Sequence, residues 1–193
     1  VKNFIDSLNH IVLKLIDIIM ESAPYGVFAL LAALIVDIAG DDPADTISLF
    51  KALGVYGITV IIGLLMMIFV VYPIFLKIFT RVKYSRFARK ISPVQLLAFS
   101  TSSSAATLPL TMETAEEKLG INNETSSFVL PLGATINMDG TSLYQAVAAV
   151  FLAQVYGMDL GLSEQLTIIL TATLASIGSA AVPGAGMVML IIV

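Results

Sequence analysis

Residues 130–141 read Leu-Pro-Leu-Gly-Ala-Thr-Ile-Asn-Met-Asp-Gly-Thr and interrupt an otherwise apolar stretch of the chain. Asp139 is the only charged residue between Glu124 and Asp159. A charge at the middle of a bilayer costs at least ~2.5–3.5 kcal/mol on insertion scales, so a carboxylate there needs a cation or a water-filled cavity beside it. The proline and the two glycines predict that the helix unwinds here and turns backbone carbonyls outward.

The unwound stretch offers a carboxylate, an amide oxygen, hydroxyls and carbonyls, all of which are oxygen ligands. Hard cations such as Na⁺ prefer oxygen, whereas Zn²⁺ prefers His or Cys. The chain has no Cys, and its one histidine, His10, lies far away in the sequence and is interpreted as an interfacial residue. The stretch therefore predicts a Na⁺ site at Asp139. The alternative is a buried acid paired with a group outside this chain.

The composition predicts an integral membrane protein. The 193 residues are 58% hydrophobic and only 12% charged, with a net charge of −4 and a mean hydropathy of +0.94. Soluble domains are roughly 45–50% apolar and about 25% charged. The high apolar fraction excludes a disordered chain, and the negative net charge excludes a nucleic-acid binder. The absence of Cys excludes a disulfide-stapled secreted module. We expect a multi-pass protein of the cell membrane, surrounded by the lipid bilayer.

Long uncharged runs mark where the chain crosses or enters the bilayer, because a spanning helix needs about 20 apolar residues. Residues 46–80 are the plainest transmembrane helix. Six basic residues and no acid follow within residues 77–90, which predicts a cytoplasmic loop by the positive-inside rule. The uncharged runs are residues 52–76, 91–112, 140–158 and 165–193.

The first segment, residues 1–45, carries charges among Ile and Leu at helical spacing. This pattern is typical of an amphipathic interfacial helix that continues into the membrane. We expect one helix with a kink near Pro24. It should end at the acidic turn of residues 37–45, on the external side.

Two of the uncharged runs have centres that do not suit a lipid-facing helix. Residues 100–109 are rich in Ser and Thr, and residues 176–186 combine Ser, Gly and Pro. Such segments free backbone groups that lipid cannot satisfy, so they persist where protein or water surrounds them. Re-entrant hairpins at 91–112 and 163–193 are the natural interpretation, and helix-packing contacts are the alternative.

Residues 102–109, 130–141 and 175–186 resemble, in order and spacing, the two hairpins and the broken helix of the glutamate transporter family. This family of dicarboxylate/amino acid:cation symporters includes excitatory amino acid transporters and archaeal aspartate transporters. The resemblance covers the whole chain but only part of the family's length, so the chain is interpreted as an incomplete transporter. It implies an all-α membrane protein with two re-entrant helical hairpins and a broken helix, which works as an elevator-type, homotrimeric secondary transporter.

The resemblance also implies that the chain contributes to two domains. Residues 1–45 would belong to the scaffold and residues 46–193 to the transport domain. The transport domain would comprise the transmembrane helix 46–80, the inner hairpin 91–112, the broken helix 125–157 and the first part of the outer hairpin, 163–193.

The site residues are carried over from the family by matching motifs. The resemblance implies that Na⁺ ions are bound by backbone carbonyls and by the Asn137 and Asp139 side chains, and that no organic cofactor or catalytic residue is present. The implied metal ligands are Gly133, Thr135, Asn137, Asp139, Ser176, Ile177 and Ser179. The implied substrate-binding residues are Ser103, Ser104, Met138, Thr141, Val182 and Gly186.

The resulting hypothesis is sodium-coupled symport of acidic amino acids (glutamate or aspartate) or dicarboxylates, by alternating access. A neutral amino acid exchanger of the same family stays open, because the substrate-selecting residue would follow Val193. An ion channel with filter loops at 102–107 and 178–186 is a further alternative. An intramembrane serine hydrolase is disfavoured, because no His or Lys base accompanies the serines of run 91–112, so we do not expect an enzyme.

Overall fold

The computed structural model describes the backbone of residues 2–39, 43–182 and 184–193. Within these ranges every regular element is helical and no strand occurs, which confirms the predicted all-α class. The helices are α1 (Lys2–Ala39), α2 (Pro43–Met66), α3 (Tyr72–Phe79), α4 (Tyr84–Thr101), α5 (Ser104–Glu113), α6 (Asn123–Ile136), α7 (Asp139–Val155), α8 (Leu162–Ile177) and α9 (Ala185–Met189). Two π-helical segments, Met67–Val71 and Thr114–Lys118, and a 3₁₀ turn, Leu190–Ile192, complete the set.

The chain divides into two compact units, residues 1–55 and 56–193. The first unit contains α1, a single 38-residue helix with Pro24 inside it. The predicted acidic turn includes residues 40–42, which lie outside the described residues, as do the side chains of 37–46 and of His10. The assignment of scaffold and transport roles to 1–45 and 46–193 stays a prediction.

The helix Ile47–Phe79 is the one described helix that is long and apolar enough to cross a bilayer in one piece. It has 33 residues and a mean hydropathy of 2.7 in its most apolar window, none of which is buried. At ~1.5 Å per residue it is about 50 Å long, which exceeds the hydrocarbon core of roughly 30 Å. Length and composition therefore agree with the transmembrane helix predicted at 46–80.

A π-helical turn, Met67–Val71, interrupts this long helix. The backbone N–H of Tyr72 donates to the carbonyl oxygen of Met67, five residues earlier. Pro73 follows, and a proline inside a helix has no N–H and crowds the carbonyl four residues before it. The wider turn accommodates the proline. The helix predicted at 46–80 did not include this turn.

The Ser/Thr-rich run forms two helices, α4 and α5, that pack against each other. The chain turns at Ser102, which has left-handed backbone angles (φ 49°, ψ 28°). Ser103 then caps α5, because its Oγ accepts a hydrogen bond of 3.2 Å from the Ala106 N–H. The first helix begins at Tyr84 rather than at residue 91, so it includes basic residues that the predicted hairpin left out.

The stretch that predicted a broken helix is interrupted at Asn137 and Met138. The interruption is shorter than the sequence suggested, because Pro131 and Gly133 lie inside α6. Asn137 (φ −97°, ψ 80°) and Met138 (φ −115°, ψ 58°) leave the helical region, and α7 begins at Asp139. The carboxylate therefore lies in the first turn of a helix.

The last part of the chain forms α8, a non-helical stretch, and the short α9, which begins after Gly184 at φ 78°. Helices α7 and α8 pack along each other. Apart from Gln145, the buried residues of these two helices are small: Ala148, Ala153, Ala172, Ala175 and Ser176. Small side chains let helix backbones approach closely. Helices in membranes pack in this way because lipid gives no hydrophobic driving force for their association.

Candidate functional site

Three breaks between consecutive helices surround one cavity of about 340 Å³. They are the α4–α5 turn, the α6–α7 interruption and the stretch between α8 and α9. Serine and threonine hydroxyls, glycines and small apolar side chains form its wall, and none of the described residues that line it is charged. Five of the six predicted substrate-binding residues line this cavity. The lining residues are Ser102, Ser104, Met138, Thr141, Tyr144, Ser179, Ala180, Ala181, Val182, Gly184, Gly186 and Met187.

Ser103 is the predicted substrate-binding residue that does not line the cavity. It is buried, with 6% of its surface exposed. Its Oγ donates a hydrogen bond of 3.0 Å to the carbonyl oxygen of Ala181, and the Ala105 N–H donates to the same oxygen at 3.2 Å. Ser103 thus joins the turn between α4 and α5 to the stretch between α8 and α9. Its predicted contact with substrate stays a prediction.

Helix α7 contributes two residues that the sequence analysis missed, Tyr144 and Gln145. Tyr144 lines the cavity. Gln145 is completely buried, and its Nε2 donates a hydrogen bond of 2.8 Å to the carbonyl oxygen of Gly186. Both residues follow the predicted Thr141 by three and four positions, so helical spacing was the signal that could have found them.

Gly186 is packed directly against α7. A Cβ atom at this position would lie 2.9 Å from the Thr141 Cγ2 and would also collide with the Tyr144 hydroxyl. Such distances are too short for any side chain without movement of a neighbour. The cavity wall therefore requires glycine at residue 186.

Asp139 lies at the interruption between α6 and α7, half-buried. Its Oδ2 accepts a hydrogen bond of 3.0 Å from the Tyr72 hydroxyl, at the start of α3. The N-terminus of α7 also favours a negative charge at this position. The sequence has no Lys, Arg or His from residue 119 to residue 193, so that part of the chain supplies no positive partner for the carboxylate.

The other predicted metal ligands of the α6–α7 interruption lie close along the chain. The carbonyl oxygen of Gly133 accepts a hydrogen bond of 2.9 Å from the Asn137 N–H. The Thr135 hydroxyl donates to the Leu132 carbonyl at 3.0 Å, and the Asn137 side chain is exposed. A carbonyl oxygen has two lone pairs, so the Gly133 oxygen can still contact a cation.

The remaining predicted metal ligands are at the end of α8. Ser176 and Ser179 are buried, whereas Ile177 is 43% exposed. The Ser176 carbonyl accepts from the Ser179 N–H at 3.2 Å. The Ser179 hydroxyl is buried without a hydrogen-bond partner in the described structure. Ser179 lines the cavity, as does Met138, which lies between the predicted ligands Asn137 and Asp139.

The arrangement suits a hard cation coordinated by oxygen better than a transition metal. No group of three or more His, Cys, Asp or Glu side chains is found among the described residues. Carbonyl, amide, hydroxyl and single carboxylate oxygens are available instead. These hard ligands favour alkali and alkaline-earth ions.

Helices that break around a hydroxyl-rich cavity in a strongly apolar chain are the arrangement in which many membrane proteins of the secondary-transporter class build their substrate and ion sites. The sequence profile of the sodium:dicarboxylate symporter family matches residues 1–193, and the chain belongs to this family. The family places the protein in a membrane and among transporters. The resemblance inferred from the sequence motifs is thereby confirmed.

Curated relatives have high identity over the whole chain. The glt-4 protein of Caenorhabditis elegans is 46% identical over 192 residues, which are 100% of this chain and 38% of that protein. Excitatory amino acid transporter 3 of Oryctolagus cuniculus is 44% identical over 99% of this chain and 35% of its own length. Excitatory amino acid transporter 1 of Mus musculus is 43% identical over 100% of this chain and 34% of its own length. The chain thus spans 34% to 38% of the length of these relatives.

Proposed function

We propose that the protein is a sodium-coupled symporter of acidic amino acids or dicarboxylates. Membership of the sodium:dicarboxylate symporter family and the names of the relatives support this function. The single observation that carries it is the Asp139 carboxylate at a helix interruption, next to residues that line a hydroxyl-rich cavity. A charge in such a position is expensive unless a cation accompanies it.

The cation sites would use the two groups of oxygen ligands described above. One Na⁺ would contact the carbonyls of Gly133 and Asn137, and the side chains of Asn137 and Asp139 would help to bind another. A third would contact the carbonyls at the end of α8 (Ser176, Ile177 and Ser179) together with that of Thr135. In each case oxygens at or next to a helix interruption would replace part of the water shell of the ion, as in other transporters with interrupted helices.

Coupling of cation and substrate follows from their shared backbone. Met138 lies between the two proposed ligands Asn137 and Asp139, and it lines the cavity together with Thr141. A cation that orders this interruption would therefore order part of the substrate site, and a substrate would in turn favour the cation. Such reciprocity is the thermodynamic definition of coupling between two sites.

The substrate would be small, because the cavity of about 340 Å³ is at the low end of ligand pockets. Ser104 and Thr141 would donate hydroxyls, and the backbone near Val182 and Gly186 would close the site. Because no charged residue lines the described cavity, a neutral amino acid exchanger of the same family is the second candidate function.

The proposal extends to the membrane architecture. The α4–α5 pair and the α8–α9 stretch would be re-entrant hairpins, with the latter as the external gate. The basic residues 77–90 would face the cytoplasm. The multi-pass chain would move as part of an elevator-type transport domain within a homotrimer.

The test is uptake into proteoliposomes that contain the full-length protein. An inward Na⁺ gradient should drive accumulation of radiolabelled aspartate, glutamate or succinate, or of alanine and serine in the case of the exchanger. Asp139→Asn should abolish the dependence on Na⁺, whereas Asp159→Asn, the same change at an exposed site beyond α7, should not. Uptake by Asp139→Asn with unchanged Na⁺ coupling would refute the site. Na⁺ flux without any substrate would favour the channel.

A further inference from the structure

The orientation of Tyr72 depends on the π-helical turn Met67–Val71 that precedes it. A π turn accommodates about one extra residue, which rotates the following side chains by about 100° relative to an uninterrupted α-helix. Tyr72 is the first residue after this turn, and its N–H closes the turn on the Met67 carbonyl. The long apolar helix would otherwise present this side chain in another direction.

The rotated side chain brings the Tyr72 hydroxyl within 3.0 Å of the Asp139 Oδ2, 67 residues away in sequence. In the described part of the chain this is the one side-chain partner of the carboxylate. A hydroxyl that donates to an ionised carboxylate forms one of the stronger hydrogen bonds in proteins. The phenol thus partly compensates the negative charge in a chain segment without basic residues.

We propose that Tyr72 is a positioning residue of the cation site. Its hydrogen bond stabilises the Asp139 carboxylate while no cation is bound, and this hydrogen bond weakens when a cation binds. This inference rests on the proposed function, in which Asp139 is a Na⁺ ligand. A bound cation draws on the lone pairs of the same carboxylate and repels the phenolic proton. The hydrogen bond is therefore stronger in the empty site than in the loaded site.

A group that interacts more strongly with one state shifts the equilibrium towards that state. Tyr72 then weakens cation binding by stabilising the empty site, and it also lowers the free energy of the empty carrier that must return across the membrane. The residue would help the transporter to release its ion after each cycle, rather than to capture it.

The decisive variant is Tyr72→Phe in the purified full-length protein, because it removes the hydroxyl and keeps the ring. Na⁺ binding is measured without substrate by equilibrium binding of ²²Na⁺. We expect the dissociation constant to fall roughly tenfold, which is about 1.4 kcal/mol. Tyr156→Phe is the matched control, because it removes an exposed phenol at the end of α7, and it should bind Na⁺ as the wild type does.

Two further measurements distinguish this role from a merely structural one. Melting temperatures should show that Tyr72→Phe lowers the stability of the Na⁺-free protein but not that of the Na⁺-saturated protein. Net uptake, which needs the return of an empty carrier, should slow severalfold, whereas exchange of labelled for unlabelled substrate should not. Unchanged or weaker Na⁺ binding by Tyr72→Phe would overturn the inference.

Asp139→Asn, assayed in parallel, separates failure of this inference from failure of the proposed function. If Asp139→Asn keeps wild-type Na⁺ binding, the cation site itself is wrong. If Asp139→Asn loses Na⁺ binding while Tyr72→Phe behaves as the wild type, only the role of Tyr72 is wrong.

Discussion

The buried side chain of Gln145 donates a hydrogen bond of 2.8 Å to the backbone carbonyl of Gly186 and thereby joins α7 to α9. The two residues are 41 positions apart in the sequence. Because Gly186 lines the cavity, this contact holds one wall of the proposed substrate site in place.

Loss of this hydrogen bond should weaken the cavity wall. In Gln145→Leu the Gly186 carbonyl loses its side-chain donor and keeps the bond from the Leu190 N–H, and a hydrogen bond of the lost kind contributes about 0.5–1.5 kcal/mol. We expect a lower melting temperature together with a higher KM for substrate uptake. The control is Gln154→Leu, the same change at an exposed position of α7. Equal effects of the two variants would contradict a specific role for Gln145.

A methyl group at residue 186 should disturb the cavity. In Gly186→Ala the new Cβ would meet the Thr141 Cγ2 at 2.9 Å, and overpacking of this kind costs about 1–3 kcal/mol. We expect substrate affinity to fall at least tenfold in uptake assays, while ²²Na⁺ binding without substrate persists. Gly54→Ala, where a Cβ meets nothing within 4 Å, serves as the control. Normal substrate affinity of Gly186→Ala would show that α9 lies elsewhere during transport.

Substitution of Ser103 should lower the stability of the protein, whereas substitution of the neighbouring Ser104 should weaken substrate binding. Ser103→Ala removes the cap of α5 and the bond to Ala181, so the free energy of unfolding should fall by about 1–2 kcal/mol. Ser104 lines the cavity, so Ser104→Ala should raise KM and leave the melting temperature nearly unchanged. Thermal unfolding and uptake kinetics of both variants test this expectation, and a reversed pattern would assign substrate contact to Ser103.

The left-handed backbone of Ser102 predicts that glycine at this position stabilises the protein and that a β-branched residue destabilises it. Its φ of 49° is unfavourable by roughly 1–2 kcal/mol for residues with a side chain and neutral for glycine. Ser102→Gly should therefore raise the melting temperature, whereas the β-branched change Ser102→Val should lower it. If Ser102→Val is as stable as Ser102→Gly, the turn between α4 and α5 adopts another conformation.

Local sequence signals predicted several features of the fold correctly. The apolar run of 46–80 predicted the long helix, because hydropathy is a property of the residues themselves. The lone acid among glycines and a proline predicted an interrupted helix, although Pro131 and Gly133 remain helical and only Asn137 and Met138 leave the helix. The π turn was overlooked, although Pro73 was a local signal for it.

The side-chain partners could not be predicted in the same way. Tyr72 and Asp139 are 67 residues apart, and Ser103 and Ala181 are 78 residues apart. No periodicity connects residues so distant, because their contact depends on how whole helices pack. Gln145 follows Thr141 by one helical turn, so helical spacing could have placed it on the same face, and only its contact with Gly186 depended on helix packing.

Residue chemistry alone thus accounts for the membrane class of this protein, the all-α elements and the oxygen-rich motif around Asp139, since each depends on composition or on the backbone preferences of Gly and Pro. Packing of the helices added the cavity, the burial of Ser103, the contact of Gln145 with Gly186 and the phenol that faces the carboxylate. These features arise only when distant segments come together, because hydrogen bonds and steric fit act over a few ångströms in space and not along the chain.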